Sequence, residues 1–68
     1  MYQVYILKSD AYARYYIGHS KDLVMRLKAH NSGKVRSTKA YRPWKIVYSE
    51  VCKDKHMAYS REFQIKSY

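Results

Sequence analysis

Apolar and polar positions along the chain alternate between a two-residue rhythm and a helical one. Residues 2–8, "YQVYILK", put Val4 and Ile6 on one side and Tyr5 and Leu7 on the other. That alternation, in β-branched and aromatic types, predicts a strand. Residues 14–18, "RYYIG", predict a second, with "SDAYAR" as a loose hairpin turn and Gly18 as the strand's end. Ser20 is the expected N-cap of a helix over 21–31, with Leu23, Val24 and Leu27 as its apolar stripe. "NSG" closes it, Gly33 being placed for a left-handed C-cap. Residues 34–43, "KVRSTKAYRP", carry four basic residues and a proline and read as an exposed basic loop. Residues 44–51, "WKIVYSEV", predict a third strand. Asp54 can cap a last helix over 55–67, with Met57, Ala58 and Ile65 on one face and Tyr59 and Phe63 on another. The order β-β-α-β-α predicts an α+β fold: a three-stranded, mostly antiparallel sheet flanked by helices.

The length of 68 residues predicts a single domain over 1–68. Its last helix reaches Tyr68 without a stop signal, so the domain is expected either to be cut short at its C-terminus or to end as helix in solution. No stretch nears the roughly 18 apolar residues of a membrane span, and no membrane partner is expected. One cysteine, Cys52, excludes an internal disulfide and a cysteine-rich zinc site. An intracellular setting follows as the expectation, cytoplasmic or nucleoid-associated. Charge changes the picture most. Fourteen Lys and Arg against five acidic residues give +9, which points to a polyanion, most often nucleic acid.

The chain holds nine tyrosines but one Trp and one Phe. Phenylalanine would serve packing as well, so some hydroxyls sit at the surface or work. On a helical wheel Arg26 lies about 60° and His30 about 20° from Leu23, at the borders of the buried stripe. Tyr5 and Tyr16 can share one face of a hairpin, and His19 follows at the end of the second strand. Tyr5, Tyr16, His19, Arg26, His30 and Glu62 make a coherent phosphodiester-cutting set. A lone carboxylate can hold one divalent metal, an arginine can neutralise charge growing on phosphate, and a tyrosine in that field can activate water. Ordinary explanations stand beside this one. The two tyrosines can be amphipathic strand residues, Arg26 can pair with Asp22, His30 can be structural, and Glu62 can pair with Lys66.

"QVYIL" at 3–7, "YYIG" at 15–18 and "HSKDLVMRLKAH" at 19–30 resemble the GIY-YIG nuclease family. "GKVRSTKAYRPWKIVYSE" and "YSREFQIKSY" resemble its small stand-alone members, relatives of the nuclease subunit of structure-specific endonucleases. The resemblance aligns Tyr5 with the first-motif tyrosine, although Gln3 and Val4 replace Gly-Ile. Tyr16, Ile17 and Gly18 match the second motif. His19 falls where relatives carry a basic or polar residue, Arg26 on the helix arginine, and His30 on the His or Tyr one turn later. Glu62 matches the metal-holding glutamate. The resemblance thus implies a metal-dependent DNA endonuclease with one Mg2+ or Mn2+, in which Tyr5, supported by Tyr16, activates water. The expected substrate is branched or flapped DNA, of the kind met in repair and recombination, with a protein partner subunit as a further expectation. The alternative is a nucleic-acid-binding module of the same fold with weak activity.

Lys34, Arg36, Lys39 and Arg42 are the expected phosphate contacts. DNA affinity is therefore expected to fall with salt, with a log–log slope of about −3 or steeper, at roughly −0.9 per phosphate neutralised. Alanine at Lys34, Arg36 and Lys39 together flattens that slope in a salt-titrated binding assay. An unchanged slope would move the DNA surface elsewhere.

Overall fold

A computed structural model describes residues 1–67; Tyr68 lies outside the described residues. Strand β1 (Tyr2–Ser9) is central, paired antiparallel with β2 (Tyr15–Ser20) on one side and β3 (Trp44–Cys52) on the other. Helix α1 (Leu23–Asn31) follows β2, and helix α2 (Lys55–Lys66) follows β3. The β-β-α-β-α order and the three-stranded sheet agree with the sequence pattern, and both strand pairs are antiparallel.

Because β1 is central, both of its faces are covered. Tyr5 and Leu7 pack with Leu23, Trp44 and the half-buried Leu27, Tyr16 and Tyr41. Val4 faces the other way and packs with Cys52 and Ala58, flanked by Tyr2 and Ile65. Side chains alternate across a strand, so α1 and α2 cover opposite faces. The register sets Tyr5 against Gly18, Leu7 against Tyr16 and Val4 against His19. On the β3 side the pairing slips between Ile6 and Leu7, where Tyr48 and Ile46 are the partners and Val47 is skipped.

Several local expectations change. Strand β2 does not end at Gly18 but runs on to Ser20. Gly18 is buried beneath Tyr5, so its missing side chain provides close approach rather than a chain break. Helix α1 begins at Leu23, not at 21, because the Asp22 carboxylate accepts from Met25 N at 3.1 Å and takes the capping role from Ser20. The Ser20 hydroxyl instead accepts from Asp22 N, also at 3.1 Å. Val24 is 66% exposed, and the inward stripe is Leu23, Leu27 and His30, at i, i+4 and i+7. On α2 the Asp54 cap is as expected, but Met57 faces solvent. The inward positions are Ala58, Glu62 and Ile65, again one turn apart.

Segment 34–43 is more than an exposed loop. It holds a short 3-10 turn at Lys39–Tyr41 and the buried Thr38. Thr38 O accepts from Trp44 Nε1 at 2.9 Å. Asn31 grips the Trp44 backbone, accepting from its N at 2.6 Å and donating to its O at 3.0 Å. This packing ties the segment to the end of α1 and the start of β3.

Gly33 closes α1 as expected, at φ +83°. Lys34 N donates to Ala29 O at 3.1 Å and Gly33 N to His30 O at 3.4 Å, the paired bonds of a Schellman cap. Gly33→Ala is expected to lower stability by about 1 kcal/mol, through the left-handed backbone that only glycine adopts freely. The urea midpoint of unfolding checks it; an unmoved midpoint means that this cap does not hold the helix end.

Candidate active site

Tyr5, Tyr16, Arg26 and His30 come together on the α1 face of the sheet. The Tyr5 ring lies across Gly18, where a Cβ would stand 2.9 Å from the Tyr5 hydroxyl and 2.9 Å from Tyr16 Cε2. Glycine at that position is what lets the ring cross β2 and carry its hydroxyl to the sheet edge. The Tyr5 and Tyr16 rings are 6.2 Å apart, and the Tyr16 ring is 4.7 Å from that of His30. Tyr5 is 1% exposed, and its hydroxyl is 3.2 Å from His30 Nε2. His30 is fully buried, with Nδ1 at 2.8 Å from Thr38 Oγ1.

These contacts set the electrostatics. Burial pushes the Tyr5 phenol above its ordinary value, the nearby Arg26 pulls against this, and the charge fields of Tyr16 and Glu62 add to the rise. In the free protein Tyr5 is therefore a phenol at neutral pH. The nearby hydroxyl of Tyr5, more than that of Tyr16, holds Arg26 still more firmly protonated. Burial, with the Arg26 charge as second cause, lowers His30, so its imidazole is neutral and one ring nitrogen is free to accept a proton.

Glu62 and His19 meet on the α2 face. His19 Nδ1 donates to Glu62 Oε1 at 2.8 Å and Lys66 Nζ to Oε2 at 2.9 Å. The Glu62–Lys66 pair considered from sequence is present. The Asp22 carboxylate caps α1 and makes no ion pair with Arg26 among the described residues. Burial pushes the Glu62 carboxyl up, but the bonds from Lys66 and His19 outweigh it and the group titrates below its ordinary value. His19 is flanked edge-on by Tyr2 and Tyr59, with ring centroids at 6.3 and 6.4 Å. Strand β2 thus carries members of both groups, Tyr16 on one face and His19 on the other.

No three His, Cys, Asp or Glu side chains share a point among the described residues. Glu62 is the acidic residue whose charge acts on Tyr5, while Glu50 is held by Arg61 at 2.6 Å. A single ionised, half-buried carboxylate suits a magnesium-sized ion that keeps most of its waters and takes phosphate as a further ligand. It does not suit a closed zinc site. Both Glu62 oxygens are in contact with cationic or imidazole donors, so one of those contacts must yield to an ion.

The expected phosphate contacts Lys34, Arg36, Lys39 and Arg42 are all exposed, with Arg42 Nε donating to Lys39 O at 2.9 Å. Sequence reasoning missed Thr38, eight residues beyond His30 in a segment read as solvent-exposed, and mistook the reason for Gly18. The signal for Gly18 was the pair of tyrosines around it; Thr38 had none.

A small antiparallel sheet with an arginine, a histidine and two tyrosines on one face, and a half-buried glutamate on the other, is compatible with a nuclease-type domain. The chain matches the GIY-YIG catalytic domain across residues 1–68 and belongs to that family. It is 41% identical over 66 residues to a UPF0213 protein of Staphylococcus epidermidis, covering 96% of this chain and 79% of that one. A UPF0213 protein of Staphylococcus aureus is 42% identical over 67 residues, with the same coverage. The solution NMR structure of a UPF0213 protein from Bacillus halodurans is similar across the whole chain and 73% of its own, with TM-score 0.57 and 30% identity.

Of the shifted groups, His30 and Glu62 are the two that bear on how the fold responds to acid. His30 is lowered in the folded state from 6.5, so below that pH the unfolded chain binds the extra proton and stability falls. Glu62 is lowered from 4.5, so its contribution, present above that pH, is lost as pH drops further. A two-stage loss of the thermal midpoint is expected, beginning near 6.5. His30→Gln removes the first stage, and a profile that keeps it would assign that stage to another histidine.

Proposed function

We propose that this domain hydrolyses phosphodiester bonds in DNA with one divalent metal ion at Glu62, and that Tyr5, Tyr16, His19, Arg26, His30 and Glu62 form its active site. The observation that carries this reading is the buried contact of Tyr5 with a neutral His30 beside Arg26. A phenol raised by burial is a poor base on its own. It works as one when its own proton has somewhere to go. Water attacks phosphorus as its proton passes to the Tyr5 oxygen, and the Tyr5 proton passes to His30 Nε2. The bond from phosphorus to the leaving sugar oxygen breaks, and that oxygen takes a proton from solvent. Arg26, held fully charged, faces the phosphate oxygens as their charge grows. Tyr16, packed on His30, keeps the imidazole in place.

Glu62 would hold the ion, with His19 fixing the carboxylate's orientation and Lys66 released toward solvent. When bound, the metal supplies positive charge to the phosphate. DNA approaches along the basic segment Lys34–Arg42. A domain of this size has little surface for reading bases, which favours selection of DNA by structure, such as branches and flaps, over selection by sequence. Single-domain organisation, a partner subunit and a role in repair or recombination belong to the same proposal. Among the described residues no helix is long and apolar enough to cross a membrane. The binding-module reading is favoured by one observation: both Glu62 oxygens are engaged by protein donors.

Plasmid nicking and cleavage of branched, flapped and duplex DNA, with and without Mg2+ or Mn2+, test the reading. Glu62→Gln keeps the shape and removes the charge. It is expected to lower metal-dependent cleavage by about a hundredfold or more, with DNA binding unchanged or slightly tighter. Arg26→Ala loses cleavage and also binds DNA more weakly. Parental cleavage by Glu62→Gln would reject the metal assignment. A parent chain that cuts none of these DNAs would leave the binding module.

A further inference from the structure

We propose that Thr38 is a positioning residue for Tyr5: its hydroxyl accepts the His30 Nδ1 proton and so leaves Nε2 bare toward the Tyr5 hydroxyl. The inference rests on the reading of Tyr5 and His30 given above and assigns a residue outside that set. Four groups form one buried chain. The Tyr5 hydroxyl is 3.2 Å from His30 Nε2, His30 Nδ1 is 2.8 Å from Thr38 Oγ1, and Thr38 Oγ1 is 3.3 Å from Val35 O. Thr38 is 2% exposed and His30 is fully buried, so both ring bonds of His30 lie out of solvent.

The direction of such a chain is set by its ends. A neutral imidazole carries one ring proton, and each hydroxyl carries one proton. At one end stands Arg26, which can only donate and whose positive charge acts on the Tyr5 hydroxyl. At the other stands the Val35 carbonyl, which can only accept. The Arg26 charge repels the Tyr5 proton and so turns it toward His30 Nε2. The Thr38 proton going to Val35 O frees a lone pair for His30 Nδ1–H. Both ends impose the same sense, from the guanidinium to the carbonyl. The reverse sense would aim the Tyr5 proton toward a cation and leave the Thr38 hydroxyl without a proton for Val35 O.

Thr38 is also held rigidly enough for the task. Its N donates to Val35 O at 3.2 Å, and its O accepts from Tyr41 N at 3.1 Å and from Trp44 Nε1 at 2.9 Å. The segment between α1 and β3 therefore does two things: its basic side chains face solvent, and its one buried hydroxyl decides which nitrogen of His30 can take a proton.

Long-range proton–nitrogen NMR of the histidine rings at neutral pH tests this on the intact chain. The parent is expected to show His30 protonated at Nδ1 and bare at Nε2. Thr38→Val keeps the shape and removes the acceptor; its His30 shifts toward the other tautomer, and metal-dependent kcat falls on the order of tenfold or more with KM for DNA unchanged, the scale of losing a group that orients another. Thr38→Ser restores both. An Nε2-protonated His30 in the parent overturns the proposal. So does a Thr38→Val chain that cuts at the parental rate with its ring spectrum unchanged. If Thr38→Val fails to fold, the parent's tautomer and the behaviour of Thr38→Ser decide. A parent that cuts no DNA overturns the nuclease reading and with it the catalytic purpose of Thr38, while the ring spectra separately judge the direction of the bonds.

Discussion

A buried phenol must be satisfied, and the way Tyr5 is satisfied organises this molecule. Leaving a buried hydroxyl unpaired costs about 1–3 kcal/mol, a large share of what so small a domain can spare. The Tyr5 hydroxyl reaches His30 only because Gly18 offers no side chain in its path. His30 is in place because α1 packs Leu23 and Leu27 on the same face. Thr38 answers the other nitrogen because Trp44 and Asn31 bind its segment to α1 and β3. Sheet, helix and loop thus converge on one hydrogen-bonded chain, and among the described residues no buried side-chain polar atom lacks a partner.

The same burial shapes the chemistry. It keeps Tyr5 protonated and His30 neutral, which looks adverse for a base until the two are considered together. In the proposed reaction Tyr5 passes its proton to His30 as it takes one from water, so the positive charge falls on a ring that burial and Arg26 hold neutral in the free protein. Arg26 contributes to both halves, since its charge favours loss of the Tyr5 proton and keeps His30 neutral beforehand. Glu62 stands on the other face, where Lys66 and His19 keep it ionised. The carboxylate is bonded apart from the buried network, although its charge still adds to the rise at Tyr5.

The family relation and the physical reading support each other without being the same statement. Membership of the GIY-YIG family follows from the match over the whole chain. The roles of individual residues rest on contacts and charge. The relatives named here are UPF0213 proteins, a designation that states no substrate.

The strands at 2–8 and 44–51, the opposite faces of Tyr5 and Val4, the Asp54 cap and the Gly33 cap were legible in the sequence because each depends on neighbours a few residues away. So was the grouping of Arg26 with His30, which helical spacing alone places on one flank. The candidate set as a whole needed the resemblance, because spacing by itself left ordinary explanations open for each member. Gly18 misled because a glycine that ends a strand and one that makes room for a ring across the sheet look alike in one dimension. Val24 misled because a short helix with mixed polarity does not say which flank meets the sheet. Thr38 was invisible, since its partner His30 belongs to another element and only the packing of Trp44 brings them together. Local rhythm fixed the elements; the register of β1 on β2 and the docking of α1 decided which hydroxyl met which nitrogen, since those distances are set by packing across the sheet and not by spacing along the chain.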